Sequence, residues 1–289
     1  MDLFKVAVII VNYNGIEDTR EAIESVLKQQ VKTQIIVVDN ASEGYEAEKL
    51  EKEYPKIKVI GSKNNLGFAG GNNLGIDYAL EKGYEYILLL NNDTVIHKDM
   101  IRYLLSEAGE NIVSVPAMYF FSDPGILWYG GGSINKWTGN VSHLVLTKKQ
   151  KCSFATGCCM LIHKNILERV GKMDENYFMY CEDIDYSVRL NQAGIEIQYV
   201  PEAKLWHKVG KASGGNESAF SLYYVSRNRF ACIKKFRGYF RGTAFPYALL
   251  TRIIRMFQLM QKGRKEWRAY YKAIADYYGN HLGKADEVI

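Results

Sequence analysis

The run Tyr86-Ile87-Leu88-Leu89-Leu90-Asn91-Asn92-Asp93 decides the fold. Five apolar residues of strand length give way abruptly to two amides and a carboxylate. A buried strand with this ending delivers its polar groups to the carboxyl edge of a sheet, where open α/β folds hold their ligands. Working outward, Val6 to Val11, Gln34 to Val38 and Lys58-Val59-Ile60 are further apolar runs of strand length, while Thr19 to Gln29 and Gly71 to Glu81 carry a helical period. Strands buried on both faces and alternating with helices predict a Rossmann-like α/β fold with a mostly parallel central sheet flanked by helices. Ala22, Ile23, Val26 and Leu27 give the first helix its core face, with Asp18 or Thr19 as its cap.

The 289 residues, 47% of them hydrophobic, suffice for a large core and argue against disorder. The first apolar run is too short for a signal-peptide core, so the mature chain is expected to start at Met1. Cys152, Cys158, Cys159, Cys181 and Cys232 have neither CxxC spacing nor an even count, which points away from a disulfide scaffold and towards a reducing, cytoplasmic setting. Charge is uneven. Residues 1–226 hold 23 Lys and Arg against 28 Asp and Glu, whereas residues 227–289 hold 14 against 4, or net −5 and +10. The chain therefore divides into a domain over 1–226 and a basic helical extension over 227–289.

Polar residues recur where strands end: Asn12-Tyr13-Asn14, Asp39-Asn40 and Asn64-Asn65. One such end is an ordinary loop start, but several on one edge converge at the topological switch point of an open sheet. Asp39 is suited to accept from the imide nitrogen of a uracil or thymine base, and equally to make an Asp-Asn turn. The glycines at 67, 70 and 71 do not spell G-x-G-x-x-G, which disfavours a nicotinamide cofactor. They still allow a ligand close to the amides that open the next helix. Glu182, Asp183 and Asp185 lie at a predicted helix start, where acids suit the macrodipole, and Asp185 can pair with Arg189 at i,i+4.

The ordered motifs VIIVNYNG, VVDNAS, NNLGFAGGNN, LLLNNDT, TGCCMLI, FMYCEDIDYSVR and LWHKVG resemble those of family 2 glycosyltransferases of the GT-A fold, most closely the rhamnosyltransferase-like branch, over roughly residues 5 to 230. The resemblance implies a nucleotide-binding half (about 1–100) and an acceptor-binding half (about 101–226). It implies an inverting transfer from a nucleotide-diphospho-sugar, with dTDP-rhamnose as donor, in cell-surface polysaccharide assembly. It further implies Mn²⁺ or Mg²⁺ at a D-x-D-like motif, with Asp93 and His207 as ligands. Asn91 stands where the motif has its first Asp, which removes a charge and leaves the ion dependent on the donor. A non-catalytic nucleotide-sugar-binding protein is the alternative.

Asp183 matches the catalytic base. Asn12, Asn14, Asp39, Asn65, Gly67, Asn72, Asn91, Asn92 and Arg227 match the donor side, and Trp128, Glu182 and Asp185 the acceptor side. Trp137, Tyr223 and Asn228 are further contacts to test, with core packing equally open for the aromatics. Cys158 and Cys159 read as buried filler. In the basic extension, Leu249, Ile253, Met256, Phe257 and Met260 follow helical spacing while Arg252 and Arg255 interrupt any bilayer-spanning run. Two uses remain open. One is a helix on an anionic membrane, peripheral to the inner face of the cell membrane, that reaches a polyprenyl-linked saccharide. The other is packing against the catalytic domain or a second subunit in a homodimer. No nucleic-acid module is recognisable.

Overall fold

The innermost strand residues, Ala7 to Ile10, Ile36 to Val38 and Ile87 to Leu89, have no measurable exposure because helices cover both faces of the sheet they form. The structure is a computed structural model that describes residues 5–209, 218–262 and 264–285. Gly210 of the LWHKVG motif and the side chains of Met260, Lys262 and Arg264 lie outside the described residues.

The chain runs β1 (Val6–Asn12), α1 (Ile16–Leu27), β2 (Thr33–Asp39), α2 (Glu46–Glu53), β3 (Lys58–Gly61), α3 (Gly67–Glu81), β4 (Tyr86–Asn91), β5 (Thr94–Ile96), α4 (Met100–Leu105), β6 (Ile112–Phe120) and β7 (Leu127–Tyr129). It continues with β8 (Gly132–Ile134), β9 (Val141–His143), β10 (Gln150–Cys152), β11 (Cys159–His163), α5 (Lys164–Val170), α6 (Glu182–Gln192) and β12 (Glu196–His207). Three helices follow, α7 (Ala219–Lys235), α8 (Ala244–Lys262) and α9 (Arg264–Tyr278). The main sheet is ordered β10-β12-β6-β11-β4-β1-β2-β3, with β5 added to β12 and β7 to β6.

Strands β3, β2, β1, β4, β6 and β12 are mutually parallel, and β11 is inserted antiparallel between β4 and β6. The chain builds outward from β1 to β3 and then returns to the other side of β1, so the switch point lies between β1 and β4. Register there is fixed: Asn12 faces Asp39 across β1 and β2, and Val11 faces Asn91 across β1 and β4. Because β11 runs antiparallel, its start meets the end of β4, with Cys159 opposite Leu90. The β12 strand brings His207 opposite Thr94 of β5. Residues from six strands thus gather at one edge.

Two local expectations change. The third helix begins at Gly67, so Gly70 and Gly71 are helical. A Cβ on Gly71 would stand 2.8 Å from Val11 Cγ1, and one on Gly75 2.6 Å from Ile9 Cγ2. These glycines let α3 approach β1. The first helix has Gly15 as its N-cap, while Thr19 turns inward to donate to Asn12 Oδ1 at 2.7 Å. At the other end of the domain, α7 runs unbroken through residues 226 and 227, so the step in charge density is not a break in the chain's packing.

Candidate active site

At the end of β1, Asn12 is fully buried, and its Nδ2 donates to Asp39 Oδ1 at 2.8 Å, Glu46 Oε2 at 2.8 Å and Ser42 Oγ at 3.1 Å. Asp39 Oδ2 also accepts from the Ser42 amide. Each carboxylate oxygen has a further lone pair, so Asp39 keeps capacity for another donor on either oxygen. Asn14 is in the left-handed region and exposed. It accepts from the Glu43 amide through Oδ1, and its own amide donates to Ser42 Oγ. Thr19 links this group to the switch point, because Asn92 Nδ2 donates to Thr19 Oγ1 at 3.1 Å. Glu46 lies outside the motifs, and Ser42 of VVDNAS and Thr19 look like turn and cap residues until the fold brings them to Asn12.

Across the switch point, the Asn91 amide donates to the Cys158 carbonyl, and its side-chain amide is unpaired among the described residues. Asp93 and His207 are both buried, with Asp93 Oδ1 3.1 Å from His207 Nε2. The Lys208 amide donates to the Asp93 carbonyl at 2.9 Å, which locks the two strand ends together. Trp128 lies edge-on to the His207 ring at 4.6 Å between centroids, so it backs the imidazole. Burial opposes charge on His207, but the neighbouring Cys158 sulfur and the Asp93 carboxylate favour it, and the balance raises its pKa to about 10.

The donor set fits a hard divalent cation. Asp93 Oδ1 is buried with no other hydrogen-bond partner, and its approach to His207 Nε2 is 3.1 Å. It matches adjacent corners about an octahedral ion, about 3.0 Å apart for arms of about 2.1 Å. Among the described residues no group of three or more His, Cys, Asp or Glu could hold a metal. Further ligands would have to come from outside the chain.

Asp183 sits in the first turn of α6, beside Gly157 and one residue from Cys158. Its Oδ2 accepts from the Gly157 amide at 3.2 Å and its Oδ1 from the Ile184 amide at 2.9 Å. Burial pushes its pKa up to about 6, against the pull of those amides. The turn that presents it is unusual: Tyr180 and Cys181 both have positive φ, 65° and 71°. Two consecutive non-glycine residues in this region store strain that neighbouring contacts must hold. Asn228, fully buried on α7, donates to the Met179 and Tyr180 carbonyls at 2.8 and 3.0 Å.

Several expected contacts are placed elsewhere. Asp185 is fully buried and paired with Arg189 and Lys235, so it is a core ion pair and not an acceptor contact. Glu182 is 6% exposed with Oε2 unpartnered among the described residues. Burial and the Asp183 charge raise its pKa well above the carboxylate range, and it offers no open surface to an acceptor. Arg227 is 1% exposed, packed over the Tyr223 and Tyr224 rings and donating to the His281 and Gly283 carbonyls. It fastens the C-terminal segment and does not reach the donor side. Helical phase explains all three, since their side chains fall on core faces.

The Gly67 amide is taken by Asn65 Oδ1 and the Phe68 amide by the Phe178 carbonyl, so these α3 amides are not open to a ligand. A Cβ on Gly67 would meet Phe178 O at 2.1 Å. Asn72 is buried and donates to the Phe68 carbonyl within its own helix. Trp137 is 61% exposed, with Arg241 over its ring. Asp39, Asn12, Asn91, Asn92, Asp93, His207, Trp128 and Asp183 are the residues that the fold gathers at one edge.

Comparison with known proteins is consistent with this architecture. The model described as glycosyl transferase family 2 matches residues 7–171. A low-salt glycan biosynthesis hexosyltransferase of Haloferax volcanii is 29% identical over 238 residues, covering 78% of this chain and 74% of its own. A dTDP-rhamnosyl transferase of Shigella flexneri is 29% identical over 237 residues, covering 78% and 79%. The crystal structure of GalNAc-T7 with UDP, GalNAc and Mn²⁺ superimposes with a TM-score of 0.67 at 17% identity, over 80% of this chain and 48% of that one, a likeness of fold.

Proposed function

This chain belongs to glycosyl transferase family 2 and has the GT-A fold, and from that premise we propose that it is a metal-dependent inverting enzyme. It would move rhamnose from dTDP-rhamnose to a hydroxyl of a saccharide, carried on a polyprenyl diphosphate, in cell-surface polysaccharide assembly. The observation that carries the proposal is the placement of the buried Asp93–His207 pair and a partly exposed Asp183 at the same sheet edge. The Shigella flexneri relative is a dTDP-rhamnosyl transferase, which supports the choice of donor.

In this reading Asp39, held in place by the buried Asn12, binds the base, and Asp93 and His207 would hold Mn²⁺ or Mg²⁺ together with the donor diphosphate. The ion, when bound, offsets the charge that grows on the leaving phosphate. Asp183 accepts a hydrogen bond from the acceptor hydroxyl and takes its proton as the oxygen forms a bond to the anomeric carbon. The bond from that carbon to the diphosphate breaks on the opposite face. The sugar passes through an oxocarbenium-like state without a covalent enzyme intermediate. Trp128 keeps the His207 ring oriented and limits water around it.

Incubating the protein with dTDP-rhamnose, Mn²⁺ and a saccharide acceptor, and reading the product by NMR, tests the reading. An inverted anomeric linkage with release of dTDP is expected. Retained configuration, or donor binding with no turnover across a panel of nucleotide sugars and acceptors, contradicts it.

A further inference from the structure

Arg229, Arg252 and Arg255 line a cavity of about 270 Å³ between α7, α8 and α9, together with Leu222, Thr251 and Tyr270. No Asp or Glu lines it. Its volume far exceeds what one water needs, so a polyatomic group fits. Arg252 is 7% exposed, on the inward face of α8, with its guanidinium 3.5 Å from the centre of the Phe230 ring. Arg229 donates from Nη2 to Asn140 Oδ1 and the Thr138 carbonyl, while its Nε is buried with no partner. Neither Arg229 nor Arg252 has an ion pair among the described residues. Burial lowers the pKa of both, that of Arg252 to about 10. Buried guanidinium groups without a counter-charge are costly, and a bound anion removes that cost.

The same helix inverts the usual amphipathic pattern. Leu250, Ile253, Ile254 and Phe257 are 57%, 44%, 50% and 59% exposed, while Arg252 faces inward. They form an apolar stripe of the kind that marks an interaction surface. Ile254 is the i+3 neighbour of Thr251 at the cavity, so stripe and cavity adjoin on the helix. Among the described residues no helix is long and apolar enough to cross a membrane. A stripe on such a helix suits the plane of an interface. The net charge of +10 over residues 227–289 complements an anionic surface.

We propose that the cavity between α7, α8 and α9 binds the phosphate of an anionic lipid headgroup, with the exposed α8 stripe seated against the adjoining acyl chains. This does not depend on the sugar transferred or on turnover, and it is tested by binding alone.

Flotation of the full chain is measured with vesicles of phosphatidylcholine alone and of phosphatidylcholine mixed with phosphatidylglycerol. Binding to the mixed vesicles only is expected. Arg252→Gln should weaken it by more than about fivefold, the effect of one ordinary surface cation. Lys265→Gln, exposed on α9, should weaken it less, and Phe257→Asp, on the exposed stripe, should abolish it. Inorganic phosphate at matched phosphate concentration should neither compete with the mixed vesicles nor raise the Tm. Equal losses in Arg252→Gln and Lys265→Gln would assign binding to diffuse charge and overturn the cavity. Flotation undiminished by Phe257→Asp, or full competition by inorganic phosphate, would overturn the lipid. Should Arg252→Gln fail to fold, Phe257→Asp and the phosphate competition decide the outcome.

Discussion

His207 Nε2 stands 3.1 Å from Asp93 Oδ1, and the pair is the meeting point of two strand ends that enter the sheet from opposite directions. No group of three or more His, Cys, Asp or Glu able to hold a metal exists among the described residues, so Asp93 and His207 would make a weak ion site by themselves. Asn91, where a second carboxylate would add charge, weakens it further. The ion is then expected to bind in concert with phosphate oxygens.

Thermal unfolding checks this directly. Mn²⁺ alone should move the Tm little, dTDP-rhamnose alone modestly, and both together by more than the sum, because each ligand raises the affinity for the other. Asp93→Ala should leave the modest nucleotide shift and remove the synergy. A full shift from Mn²⁺ alone would mean that the chain supplies a complete coordination sphere.

With Asp183 as the proposed base, activity and stability should respond to pH in opposite senses. Its pKa of about 6, raised by burial, means that the base form needed for proton removal is lost below that pH, so kcat/KM should fall about tenfold per pH unit there and level off above. For folding the sign reverses. A carboxyl with a raised native pKa adds stability that is fully present below its unfolded pKa and is lost as pH rises through about 6. Glu182, raised by burial and by Asp183, adds in the same sense. Urea denaturation should therefore show Asp183→Asn gaining stability relative to wild type between pH 5 and pH 8. A constant difference across that range would rule out the burial of Asp183 as its cause.

Asn228 holds the strained turn before α6 through the Met179 and Tyr180 carbonyls. Replacing it with Ala leaves two half-buried acceptors without their partner and should cost about 1–3 kcal/mol in stability. Because Tyr180 and Cys181 set the direction of Asp183, kcat should fall more than KM rises. A variant that loses stability but keeps kcat would show that the turn holds its shape without Asn228.

Much of this arrangement was legible in the sequence because hydrophobic runs ending in polar residues report the edge of a parallel sheet. Val6 to Val11, Gln34 to Val38 and Tyr86 to Leu90 became β1, β2 and β4 with shifts of a residue or so at their ends. Asp39 and Asp93 sit at strand ends, as their positions after apolar runs implied, and His207, which only the resemblance had singled out, ends β12. Residues whose roles depend on helical phase were less legible. Arg227 and Asp185 carry charges that suit phosphate or sugar, but packing turns both into the core, where neighbouring rings, carbonyls and cations satisfy them. Glu46 was hidden because its partner Asn12 lies on another element. The glycines of α3 report helix-to-strand distance more than ligand approach.

The most direct test of the central claim is to measure turnover and donor affinity together for Asp183→Asn at pH 8 with dTDP-rhamnose, acceptor and Mn²⁺. With Asp183 as the proton acceptor, kcat should drop by at least about 10²-fold while the donor Kd stays within about twofold, since general-base catalysis contributes about 10²–10⁴. A variant that turns over at the wild-type rate, or one that loses donor binding along with activity, would contradict it.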